Sequence, residues 1–132
     1  MKKSRIISFI SIAILGMGSM ILPLFFLEDI KHYDSPLFPL IRTAIEGLSL
    51  YSLGFLIFSG FIVKLFSDES SWKIGLMGMV LFPLAAICEM IVDLSSHSIF
   101  PIEFILYGIY SIPIIIGAYL SQSIRWFVMK IK

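Results

Sequence analysis

Cysteine occurs once in these 132 residues, and charged side chains make up only 14% of them. The single thiol, Cys88, excludes an internal disulfide and paired-thiol redox chemistry, and its apolar surroundings read as core. No HExxH pattern and no paired histidines are present, so zinc catalysis is not expected. Neither His32 nor His97 lies within an apolar span, which leaves no axial ligand for haem. No cofactor and no metal site are therefore expected. The formal net charge of +1 carries no electrostatic signature of a nucleic-acid partner, and none is expected.

What is abundant is apolar surface. The chain is 58% hydrophobic with a mean hydropathy of +0.98. Soluble domains average roughly 45–50% apolar and about 25% charged. The composition thus places the chain in a bilayer, and its length suits one membrane domain over residues 1–132 with little left for a soluble catalytic unit.

A hydrocarbon core of about 30 Å needs about 20 apolar residues. Four stretches meet that length: Ile6–Leu27, Phe38–Phe66, Trp72–Leu94 and Pro101–Phe127. The first follows a basic start but runs on through "GMGSMILPLFFL" with no A-x-A site, so it reads as a retained span and not a cleaved signal. The expected fold is all-α, an integral membrane four-helix bundle.

Basic residues set the direction. Lys2, Lys3, Arg5, Lys64, Lys73, Arg125, Lys130 and Lys132 fall on one side of such a bundle, and only Lys31 and Arg42 on the other. Both termini are expected in the cytoplasm, in a multi-pass protein of the plasma (inner) membrane. In the second loop, Ser70 or Ser71 should cap the third span, with Asp68 and Glu69 near its positive end.

The halves resemble each other. "ILPLFFLEDIKHYDSPLFPLI" and "LFPLAAICEMIVDLSSHSIFPIE" pair Pro23 with Pro83, Glu28 with Glu89, His32 with His97 and Phe38–Pro39 with Phe100–Pro101. Gly47 and Gly108 follow, giving a tandem two-helix repeat about the membrane normal. Pro83 and Pro113 should each bend their span, because Met79 and Ile109 lose a helical donor.

Charge at depth is confined to the outer half. Arg42 and Glu46 are four apart on the second span, as are Glu89 and Asp93 on the third, with His97 four further on. Glu103 begins a stripe on the fourth through Tyr107 and Tyr110 to Gly117 and Ser121. Buried ionised groups face protein or water, so these stripes should face one another around an outward-opening polar pocket. Glu89, Asp93 and His97 span about 12 Å of one helix and cannot together hold one ion.

Glycine and serine at 16, 18, 19, 75, 78, 117 and 121 permit close helix packing. The expected function is binding by that pocket, with a cation, a polar headgroup or a partner helix as ligand, in transport, accessory or immunity-type roles. The expected partners are the lipid bilayer and either another copy or another membrane protein. The alternative is an intramembrane lipid-acting enzyme using Glu89, Asp93, His97 and Glu103.

Overall fold

The computed structural model describes residues 2–27, 39–92 and 100–131, in six helices. They are α1 (Lys2–Leu27), α2 (Pro39–Glu46), α3 (Leu50–Phe66), α4 (Ser71–Gly78), α5 (Leu81–Val92) and α6 (Phe100–Ile131). Among the described residues there is no strand.

Among the described residues, three helical stretches are long and apolar enough to cross a membrane: Arg5–Phe26, Ser71–Val92 and Ile102–Ile131. These stretches overlap three of the four expected spans. The second is not continuous. It divides at Gly47–Ser49, leaving α3 as a 17-residue apolar helix about 26 Å long. The reason is local: Ser49 is extended and its Oγ accepts the Ser52 N–H at 3.1 Å, so it starts a new helix. Sequence reading had run the second span through Ser49 without a break.

The third span is also interrupted, four residues before Pro83. Pro83 has no N–H for the Met79 carbonyl, which accepts instead from Phe82 N at 3.2 Å. Met79 takes φ −102° and ψ 0°, and the turn tightens through Met79 N to Leu76 O (3.2 Å) and Val80 N to Met77 O (3.3 Å). The expected break at Pro83 is present. Pro23 and Pro113 lie inside α1 and α6, which continue as helix through them.

Contacts fix the relative directions. Arg5 pairs with Glu69 just ahead of α4, and Gly16 packs on Gly78, so α1 and α4 run parallel. Gly60 packs on Ile114 and Arg125 reaches the Lys64 carbonyl, so α3 and α6 run parallel. Ser71 meets Gln122 at 3.3 Å while Gly78 meets Ile114, so α4 opposes α6. The arrangement is up-down-up-down.

All six helices feed one core. Ile12, Met20, Leu56, Ile74, Phe82 and Ile114 have their side chains fully enclosed, joined by Ile41 and Ala44 of α2. The tightest crossing is between α3 and α6. A β-carbon on Gly60 would overlap the Ile114 carbonyl, and one on Gly117 would overlap the Ile57 carbonyl. Gly16 against Gly78 and Gly75 against Ile115 are similarly close, as expected of small residues at helix contacts. Gly18 is an exception, meeting only Leu22 of its own helix.

The surface inverts the soluble pattern. Ile6, Ile10, Phe26, Phe58, Ile91 and Ile105 are exposed, while Ser52, Ser59, Ser111 and Ser121 are buried. Monomeric soluble proteins rarely show apolar patches beyond a few hundred Å². Three spanning-length apolar helices with an apolar exterior fit a membrane protein.

Candidate functional site

The eight residues singled out from sequence fall on α2, α5, α6 and the segment between α5 and α6. On α5, Phe82, Ala86 and Glu89 are buried at steps of four and three, one face of a helix. That face meets α6: the Phe82 and Tyr107 rings stack with centroids 6.1 Å apart, and Phe104 meets Tyr107 edge-on at 5.7 Å. The chain reverses between α5 and α6. Glu89, two turns beyond Phe82, therefore stands level with the first turns of α6, where Glu103 is half-buried.

Glu89 is only 5% exposed. A carboxylate at that depth is expensive unless protein groups meet it, and Glu46, Glu89 and Glu103 are each engaged by neighbours. Tyr110 ties α6 to α2, its hydroxyl donating to the Ile45 carbonyl at 3.2 Å. That carbonyl lies in the last turn of α2, where helical donors run out, so a side chain supplies one. Ile41, Thr43 and Ala44 turn inward, whereas Glu46 is exposed.

Tyr107 and Tyr110 thus contact α5 and α2 respectively, and Glu89 shares the α5 face that packs on Tyr107. Asp93 and His97 lie outside the described residues, as does the side chain of Arg42. Among the described residues, no three His, Cys, Asp or Glu side chains come together as metal ligands. Sequence reading missed Thr43, which is 2% exposed, and the Ile45 carbonyl. Ile41, Ala44 and Ile45 at i, i+3 and i+4 were the available signal for a separate amphipathic helix there.

The opposite end carries its own polar network. Arg5 Nε meets Glu69 Oε1 at 2.6 Å, and Arg5 Nη2 meets Oε2 at 3.0 Å. Arg125 lies 3.6 Å from Asp68 and also donates to the Lys64 carbonyl. Lys64 itself is 7% exposed and its ammonium donates to the Glu69 carbonyl. The hydrogen bond from Arg5 holds the Glu69 carboxyl below its ordinary value. Ser70 stands at the start of α4 with its carbonyl accepting from Lys73 and Ile74, but its hydroxyl makes no capping bond.

Along the sequence, charge divides sharply. Seven of the nine acidic residues (Glu28, Asp29, Asp34, Glu46, Glu89, Asp93 and Glu103) belong to the Glu89 half of the sequence pattern, with only Lys31 and Arg42 among the bases. Comparison with protein-family models, with curated proteins and with solved structures finds no match for this chain.

Proposed function

We propose that this chain crosses the plasma (inner) membrane four times, through α1, α2–α3, α4–α5 and α6, with both termini cytoplasmic. It acts by binding a cation in a polar pocket at the outer end. The observation that carries the reading is the buried carboxyl of Glu89, on the α5 face that packs on α6 beside Phe82 and Tyr107. An acid inside an apolar chain is retained against a solvation cost of several kcal/mol, and groups of this kind are commonly functional.

The remaining candidates surround it in the proposal. Glu103, Tyr107 and Tyr110 form the α6 wall, Arg42 and Glu46 the α2 rim, and Asp93 and His97 the mouth. The excess of carboxylates over bases at this end favours a cation over an anion. The broken α2–α3 and α4–α5 segments support the reading, because interrupted spans place backbone polar groups at depth, as ion-binding membrane proteins do. The tandem repeat draws support from the reciprocal crossing of α3 and α6, although its register differs by about one turn from that of the loop motifs.

The test uses the purified chain and its Glu89→Gln variant, melted with protons, sodium, magnesium or tetraphenylphosphonium added. A ligand of the folded state raises the melting temperature by mass action. The wild type should be stabilised by one of these cations, and Glu89→Gln should lose that response while melting normally without it. Equal responses in both proteins would remove Glu89 from the site.

A further inference from the structure

Two apolar grooves lie between the antiparallel helices α1 and α3. The outer one, of about 350 Å³, is lined by Pro23 and Phe26 against Tyr51 and Phe55. The larger, of about 520 Å³, is at the Arg5 end and sets Ile7, Ser11 and Leu15 against Ile62, Val63 and Phe66. From residue 7 to residue 15 is about 12 Å of helix axis. Half of a hydrocarbon core of about 30 Å is about 15 Å, so this groove runs the depth of one leaflet.

We propose that this groove holds one acyl chain of an anionic phospholipid, with its phosphate among the bases at the same end. The inference rests on the membrane-spanning reading but not on the outer pocket. The groove's length is close to the depth of one leaflet. Apart from Ser8 and Ser11 its lining is aliphatic and aromatic, complementary to a methylene chain. Arg5, two residues before Ile7, keeps a side chain 51% exposed while pairing with Glu69, and that end also carries Lys73, Arg125 and Lys130 against Asp68 and Glu69. Basic residues at a bilayer surface attract anionic headgroups.

The test is native mass spectrometry of the full chain released from a mild detergent containing equal phosphatidylglycerol and phosphatidylethanolamine. One lipid should remain bound, with phosphatidylglycerol favoured several-fold, and Ser11→Phe, which fills the groove, should lower retention at least fivefold. Gly54→Phe, on the open face of α3, should retain lipid as the wild type does. A phospholipid with a photoreactive acyl chain, used on the wild-type protein, should label residues 7–15 and 62–66. That measurement stands even where Ser11→Phe fails to fold. Unchanged retention in folded Ser11→Phe, labelling elsewhere, or equal retention of the two lipids overturns the proposal. A dimer dispersed by Ser11→Phe would identify a second copy as the occupant and overturn it too. Retention does not depend on which side of the membrane this end faces, so a reversed orientation would refute the topology and leave lipid binding standing.

Discussion

Gly60 and Gly117 make the same contact in reverse. Each lies against the backbone of the other's helix, Gly60 on the Ile114 carbonyl and Gly117 on the Ile57 carbonyl. Ile57 precedes Gly60 by the three residues that separate Ile114 from Gly117, so two parallel helices present one motif to each other. The crossing at the centre of the molecule is set by backbone approach.

Replacing either glycine with alanine should therefore force α3 and α6 apart. Overpacked contacts of this kind typically cost about 1–3 kcal/mol. Unfolding in detergent should show that loss for Gly60→Ala and Gly117→Ala. Gly54→Ala and Gly108→Ala, where a β-carbon meets nothing within 4 Å, should be neutral or slightly stabilising, since alanine is the better helix former.

Tyr110→Phe removes the donor to the Ile45 carbonyl and leaves the ring in place. The expected loss is about 0.5–1.5 kcal/mol. It should concentrate in α2, so hydrogen exchange over residues 41–46 should quicken while that of α3 stays as in the wild type.

Pro83→Ala restores the amide that the Met79 carbonyl lacks. The Met79 carbonyl, which accepts from Phe82 N at 3.2 Å, should then take the regular helical bond, and the helix should run on through residues 79–83. The amide of the new alanine should then exchange as slowly as its helical neighbours. Rapid exchange there would show that packing of Phe82, and not the missing donor, holds the bend.

The Arg5–Glu69 pair should stabilise the fold in a pH-dependent way. Glu69 has a folded value depressed below 4.5, so its contribution is complete above that ordinary value and disappears as pH falls through the lower folded one. The melting difference between wild type and Arg5→Gln should be small, because solvent screens the pair, constant at neutral pH and absent in strong acid. Added salt should shrink it.

Much of this architecture is written in hydropathy and punctuation. The lengths of α1 and α6, the break ahead of Pro83 and the close approach at Gly16, Gly78 and Gly117 follow from composition, a missing amide and a missing side chain. The division at Gly47–Ser49 was harder to see. Leu48 and the apolar residues beyond Ser49 continue the hydropathy, and only the serine's capping bond marks the interruption. At the candidate site Glu89 and Tyr107 are buried and Tyr110 half-buried, on faces that helical spacing outlines. Spacing could not foretell Tyr110 reaching Ile45, a contact between residues 65 apart. Counting bases grouped Arg5, Lys64 and Arg125 on one side, while their partners depend on how α1, α6 and the loop at 67–70 meet.

The most direct measurement of the account is sided labelling of single cysteines in the full chain, with Cys88 replaced by serine. Ser96→Cys, in the segment between α5 and α6, should react with a membrane-impermeant maleimide in intact cells. Asp68→Cys, whose native side chain is 98% exposed beside Arg125, should react only after permeabilisation. Labelling of both positions from the same side would contradict a membrane-crossing α4–α5 segment, and with it an outward-facing Glu89.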